Sequence, residues 1–554
     1  MVLTELLVTT RAAISTDVCS YTFKNIRFAA PPVGSLRWAK PAPPTVNTTL
    51  QDGSYGPQCE VLGGLPVPIF AGGDEDCLFL DVYVPGKALK NPNLRLPVVV
   101  WIYGGAYVFG SKDSLQPDLP FYDGSGMMGQ AGNNMIFVAM NYRLGAYGFL
   151  AGTTMEADGL PNAGLWDQRA AFQWVKDYIG LVGGDPTQVT AFGESAGAGS
   201  IMHHLVAQGG RLDPLFQRAI LQSPAFELMW DRAGTIQDTF ACFAALAGCK
   251  GKGLACLRAA DPATLVRANT ALNKAQTPPG SFAVGPTPGG SYIRQMPSLE
   301  LATGHAWPVQ SLILSHVADE ASLFVSGAIQ TDAQFTAFLS TVFPNYTMQA
   351  GINAQVEAFY PPSAYANQAA RVNAFTRDSC FTCNVRYLTE AIGDSKVWNM
   401  QYSVSPGYHG DDLLPTFFNP GFTANSLLEG IAMFMITIVG PMVAGISAAM
   451  QSYFTSYIVT GDPNTNRKIW NLPPTVQWNH PSSRGEVVSG VVNVGDWGFS
   501  TMDSDTQTRK TPCDFWRGFA AAVTTLGGYA PPGAVAVQSG SAASGDHLKL
   551  SIGR

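Results

Sequence analysis

The chain has 554 residues, 46% of them hydrophobic and only 13% charged, with a formal net charge of −7. That length can bury a large core, and the negative charge sets the chain against nucleic-acid phosphates and anionic membrane surfaces. No internal repeat and no linker-like break precedes the C terminus, so the expectation is one large domain over residues 1–530 and a Gly/Ser/Ala-rich, poorly ordered tail over residues 531–554.

In chain order, Met1–Arg11 carries Glu5 and no long apolar run, so no secretory leader is read there. Asn47-Thr48-Thr49 and, much later, Asn345-Tyr346-Thr347 have the pattern of N-glycosylation acceptors. Val98–Tyr103 (VVVWIY) is an uninterrupted apolar run rich in β-branched residues, which predicts a strand covered on both faces. Gly104-Gly105-Ala106 follows it at once, and residues that small let backbone N–H groups approach a polarised carbonyl oxygen.

Residues 189–199 (VTAFGESAGAG) carry the strongest signal. A β-branched and aromatic run leads into Gly193-Glu194-Ser195-Ala196-Gly197, and small residues then open a predicted helix. Gly-x-Ser-x-Gly between strand and helix forces a sharp reversal with the serine at its apex, the hydroxyl exposed above the positive end of the helix. Such a serine is a nucleophile that needs a base, and an acid to orient the base.

In that arrangement the order along the chain is serine, acid, histidine. Val309–His316 (VQSLILSH) predicts a strand, and Ala318-Asp319-Glu320-Ala321 follows it directly; either carboxylate can orient an imidazole. Of the seven histidines, His203 and His204 lie two turns into the helix after Ser195 and read as packing residues, while His480 and His547 fall in a polar loop and in the tail. His409 follows the strand-like run Val397–Val404 and the turn Ser405-Pro406-Gly407-Tyr408, which places it beyond a strand end. Ile431–Met450 (IAMFMITIVGPMVAGISAAM) is long and apolar enough to suggest a membrane span. Gly440-Pro441 interrupts it and no basic cluster flanks it, so two short buried helices and no stable membrane insertion are expected.

Further motifs run nearly from end to end: Asn25–Gly34 (NIRFAAPPVG), Glu75–Val82 (EDCLFLDV), Trp101–Ala106 (WIYGGA), Asn141–Gly145 (NYRLG), Gly164–Arg169 (GLWDQR), Gly183–Pro186 (GGDP), Leu221–Pro224 (LQSP), Gly461–Asn464 (GDPN) and Cys513–Trp516 (CDFW). With these and the Ser195 motif, the chain resembles the type-B carboxylesterase/lipase family, closest in flavour to fungal secreted carboxylesterases. The resemblance implies an α/β-hydrolase fold: a large, mostly parallel central sheet flanked by helices, with loop and helical excursions over the active site. It makes Ser195 the nucleophile, His409 the base and Glu320 the acid, with Ala321 standing where the family has glycine. The oxyanion donors become Gly105, Ala106 and Ala196, and no metal or organic cofactor is implied.

The function so implied is hydrolysis of carboxylic esters through a Ser-His-Glu triad and an acyl-enzyme. The partner is a small-molecule ester, and the oligomeric state stays open. Only 17 residues lie between Cys59 and Cys77, where the fungal lipases carry a long lid, so short- to medium-chain esters are expected. A lipase or sterol-ester hydrolase is the alternative, and a catalytically silent scaffold on the same fold a lesser one. The segment Glu60–Asp76 has Phe70 as its single aromatic residue, which argues against the cation site of choline esterases. Nine cysteines suit an oxidising compartment and an extracellular chain from which a leader has been removed. The resemblance pairs Cys59 with Cys77, Cys249 with Cys256 and Cys383 with Cys513, leaving Cys19, Cys242 and Cys380.

Overall fold

The computed structural model describes residues 13–526 apart from 16–19, 50, 62–71, 92, 115, 117–120, 228–230, 277–281, 290–291, 344, 420–439 and 470–472. The tail over 531–554, Cys19, Phe70 and His547 therefore lie outside the described residues.

Among the described residues eleven strands form one sheet: β1 (Ala13–Ser15), β2 (Ser20–Arg27), β3 (Phe79–Pro85), β4 (Leu96–Ile102), β5 (Ile136–Met140), β6 (Gly184–Glu194), β7 (Arg218–Gln222), β8 (Ser311–Val317), β9 (Val397–Ser403), β10 (Val491–Gly495) and β11 (Gly498–Met502). Their order is β1-β2-β3-β5-β4-β6-β7-β8-β9-β10-β11. From β5 to β10 every neighbouring pair is parallel. The pairs β1–β2, β2–β3, β3–β5 and β10–β11 are antiparallel and finish the two edges. Strands β4, β5 and β8 are buried at every position, as the continuous apolar runs require of a parallel sheet covered on both faces. This is the α/β-hydrolase architecture.

Five of the flanking helices matter below: α1 (Ala163–Tyr178), α2 (Ala196–Gly210), α3 (Cys383–Ile392), α4 (Gly440–Thr460) and α5 (Lys510–Leu526). Helix α2 packs on β6 and β7, and α4 on β4. The recurring motifs lock the connections. Arg143 in the loop after β5 makes a two-pronged bond to Asp167 of α1, at 2.7 and 2.8 Å. Arg37 does the same to Glu75, both bonds at 2.6 Å. Each pair is buried, and the fork of guanidinium and carboxylate satisfies donors that burial would otherwise strand.

Of the apolar stretch 431–450, expected to form two short helices, residues 440–450 belong to one helix. Gly440 and Pro441 open the 21-residue helix α4. Proline is tolerated there because a first-turn N–H has no intrahelical acceptor. Residues 431–439 lie outside the described set. Among the described residues no helix is long and apolar enough to cross a membrane.

Candidate active site

Strand β4 feeds β5 on one side while β6 lies on the other, so the sheet reverses its winding between β4 and β6. A crevice outside the C-terminal strand ends at such a point is where α/β proteins bind ligands. Ser195 stands there as the residue between β6 and α2, with φ 54° and ψ −124°. A side chain in that backbone region costs of order 1–3 kcal/mol and persists only where the surroundings hold it. Here the Ser195 N–H donates to the Gln222 carbonyl at 2.9 Å, and the Ser195 carbonyl accepts from the Gly199 and Ala225 N–H groups at 2.8 and 3.1 Å. A Cβ on Gly197 would sit 2.0 Å from the Ile102 carbonyl oxygen, so only glycine lets α2 lie this close to β4.

Two strands further along, β8 runs into Ala318–Ala321 and β9 into the loop that carries His409. The two loops are stitched together, Ala318 N–H to Tyr402 O and Asp319 N–H to Gly407 O, both at 2.8 Å. His409 Nε2 lies 2.7 Å from Ser195 Oγ, and His409 Nδ1 lies 2.6 Å from Glu320 Oε2. Glu320 is fully buried, and its other oxygen accepts the Val317 N–H at 2.9 Å. Asp319 faces elsewhere, accepting from Ser322 Oγ at 2.5 Å and Asn373 Nδ2 at 3.0 Å. Ala321 has φ −107°, an ordinary angle for alanine, so the missing glycine strains nothing. The rings of Phe324 and Phe381 stand edge-on to the imidazole. Phe381 comes from a turn of π-helix, Arg377–Thr382, that runs into α3; such turns recur at functional sites because they re-aim side chains.

Two more carboxyls crowd the imidazole. Glu194 Oε1 lies 3.4 Å from His409 Nε2 and has no hydrogen-bond partner among the described residues. Asp412 is buried, with one oxygen bonded to Gln222 Nε2 at 2.7 Å. Burial pushes Glu194 up to about 8 and Asp412 to about 7, both opposed by the charge of His409. For His409 burial favours the neutral ring, but Glu194 and Glu320 more than reverse this and raise it to about 9. Neither Glu194 nor Asp412 was singled out from the sequence; the one available signal was the place of Glu194 inside the Ser195 motif.

Gly104-Gly105-Ala106 follow β4, and a Cβ on Gly104 would come within 2.9 Å of Ser195 Cβ. Gly105 has φ +108°, and an added Cβ would meet the Phe109 carbonyl oxygen at 2.2 Å. Ala106 sits at φ 53°. Ala196 is the first residue of α2, so its N–H belongs to the end of a helix that leaves donors open. Ser195, Ala106 and Ala196 all line a cavity of about 160 Å³, walled largely by aromatic and aliphatic side chains.

The carboxylesterase family model matches residues 10–516. This chain belongs to the carboxylesterase family. It is 41% identical over 512 residues to "Secreted lipase" of Arthroderma benhamiae, covering 90% of this chain and 94% of that one. It is 30% identical over 559 residues to "Carboxylesterase patB" of Penicillium expansum, covering 90% and 92%. Among solved structures it is similar to Aspergillus niger EstA, with a TM-score of 0.75 and 27% identity over 92% of this chain and 96% of that one. As a carboxylesterase-family hydrolase it acts on ester substrates.

Of the remaining residues singled out from the sequence, Cys380 lines the cavity and the others lie apart from it. Disulfides join Cys59 to Cys77, Cys249 to Cys256 and Cys383 to Cys513. Cys242 and Cys380 are free thiols, and burial pushes Cys380 up to about 12. His203 and His204 are buried packing residues, the first bonded to Gly199 O and the second between Gln168 and Tyr292. Asn47 is exposed on an irregular segment, while Asn345 opens a short helix and its side chain is outside the described set.

Proposed function

We propose that the protein is a serine esterase in which Ser195, His409 and Glu320 form the triad, acting on short- to medium-chain esters. The observation that carries this reading is the continuous path Ser195 Oγ–His409 Nε2–His409 Nδ1–Glu320 Oε2, with bonds of 2.7 and 2.6 Å, at the wall of the cavity. Ser195 Oγ attacks the ester carbonyl as His409 Nε2 takes its proton. The N–H groups of Gly105, Ala106 and Ala196 hold the oxyanion, and losing one such donor typically costs ~2.7–4 kcal/mol. His409 then protonates the departing alcohol, leaving an acyl-Ser195 ester, and repeats the proton transfer with water to release the acid. Glu320 keeps the Nδ1–H tautomer in place and stabilises the imidazolium.

The pH dependence follows from the three carboxyls around His409. Only the neutral ring accepts the serine proton, and its pKa is raised above the ordinary histidine value, so activity is present above the titration and lost as pH falls through it. Glu194 is first among the groups that raise it, and burial raises Glu194 in its turn, so the acid limb belongs to the cluster and not to one residue. Glu194→Gln should move the acid limb of kcat/KM downward by about one unit, leaving the variant active at more acidic pH than the wild type. A limb that stays put or moves upward would remove Glu194 from this role.

The relative named a lipase favours a second reading, hydrolysis of long-chain lipid esters. The span from Cys59 to Cys77, closed at both ends by a disulfide, has little reach to cover and uncover a large apolar surface, which supports the esterase reading. Rates on p-nitrophenyl esters from acetate to palmitate, followed through the solubility limit of tributyrin, decide between them. The expected result is a preference for acetate to octanoate and no jump in rate at the limit. A sharp increase there, or triolein preferred to tributyrin, would establish the lipase. The three disulfides and the secreted relative also support extracellular work, with Asn47 and Asn345 as glycan acceptors. Mass shifts on deglycosylation of the secreted chain test those two sites.

A further inference from the structure

The cavity beside Ser195 carries one acidic side chain where hydrocarbon would be expected. Glu227 lies five residues beyond the end of β7, and among the described residues lining the cavity it is the only Asp, Glu, Lys, Arg or His. Its neighbours there include Phe226, Phe282, Ile236, Val284 and Phe381. One carboxyl oxygen accepts the Phe282 N–H at 2.7 Å. No described residue bonds the other oxygen, and no basic side chain is paired with it among the described residues. A purely hydrocarbon substrate would seal that oxygen away from water with nothing to bond it, and an unsatisfied buried polar group weakens whatever binding creates it.

We propose that Glu227 is a specificity-determining residue, and that the preferred substrate is an ester bearing a hydroxyl group on the part that enters this cavity. The proposal rests on the Ser195 esterase reading and goes beyond it by naming the polar group the cavity selects. The protonation state of the carboxyl favours a hydroxyl over an ammonium. Burial pushes Glu227 up to about 8, against a lowering by the Phe282 N–H, so near neutral pH it keeps its proton. A neutral carboxyl presents both an O–H donor and an acceptor, and a hydroxyl can take one and give the other. An ammonium offers donors only and would leave the carboxyl's own O–H without an acceptor unless the acid ionised. Sites built to bond a substrate hydroxyl discriminate against the analogue without it, because the site's polar group is then left unpaired.

The test compares p-nitrophenyl 3-phenylpropanoate with its 3-hydroxyphenyl and 3-(aminomethyl)phenyl analogues, in the wild type and in Glu227→Leu, with Glu227→Met as a second apolar variant. Titration of Ser195 with a fluorophosphonate probe establishes that each variant is folded and competent. In the wild type the hydroxylated ester should have a kcat/KM higher by roughly 10-fold or more, mostly through KM. In both variants that ratio should fall to near one, through a weaker hydroxylated substrate and a better unsubstituted one. A ratio unchanged by either substitution, or a wild type that ranks the aminomethyl ester above the hydroxylated one, would overturn the assignment. Ser195→Ala keeps the two readings separable. If it abolishes turnover of every ester while the ratio ignores Glu227, the esterase reading stands and this one falls; if it leaves turnover intact, the esterase reading itself fails.

Discussion

Replacing Ser195 with alanine is expected to lower kcat by about 10⁶-fold, and adding His409→Ala to that variant should cost little more. The reason is geometric. Ser195 Oγ and His409 Nε2 share one proton across 2.7 Å, so either residue without the other has no nucleophile to activate or no base to activate it. On the proposed reading, whatever rate remains comes from the N–H groups at Gly105, Ala106 and Ala196 and from substrate positioning, which do not need the triad. The measurement is kcat on a soluble p-nitrophenyl ester for the two single variants and the double, with thermal unfolding recorded alongside. Near-normal activity in either single variant would reject the assignment, and a double variant falling by the product of the two single losses would mean that the residues act independently.

Much of this site was legible because each piece is local. The run before Ser195 needs only its β-branched residues to read as strand β6, and the small residues after it only their size to read as the start of α2. The same holds for β4 before Gly105, for β8 before Glu320 and for β9 before His409. The family and the α/β-hydrolase fold followed from many such pieces in order. The edges of the runs shifted by a residue or two, as when the predicted Val309–His316 became Ser311–Val317, because tertiary pairing decides where a ladder ends.

What was not legible depends on segments brought together from a distance. Nothing local to Glu194 says that β7 and β8 will separate its strand from β9 by the spacing that puts its carboxyl beside the imidazole, and nothing in the loop after β9 says that Asp412 will turn inward and be buried. Phe381 reaches His409 through a π-helical turn, and a single inserted residue in a helix leaves no mark in an amphipathic pattern. Glu227 reads in isolation as an ordinary charge after a strand; only Phe282, 55 positions later and bonded to it, makes it part of a cavity wall. Pro441 lies in the first turn of α4. Proline breaks a helix in its interior but is at home in the first turn, and the sequence alone does not say which of the two it occupies.

Glu320 and Asp319 are adjacent in the sequence, yet their substitutions should differ by orders of magnitude. Glu320 Oε2 accepts from His409 Nδ1 at 2.6 Å while Oε1 is held by the Val317 N–H, so the carboxylate is fixed in the plane where it selects the tautomer. In Glu320→Gln the side chain keeps its volume but loses its charge, and its amide can turn an NH₂ toward Nδ1. The ring then protonates on Nε2 and presents a donor to Ser195 Oγ where an acceptor is required. An amide in place of the triad acid typically costs about 10⁴-fold in kcat. Asp319 bonds Ser322 and Asn373 on the far side of the turn, so Asp319→Asn should change kcat by no more than a few-fold, in line with the small effect of removing a partly exposed charge. Single-turnover rates for the two variants make the comparison free of product release. If Asp319→Asn proves the more damaging, the orienting acid lies one residue earlier and the loop turns the other way in solution. If both are mild, Glu194 at 3.4 Å from Nε2 becomes the carboxylate on which the imidazolium depends.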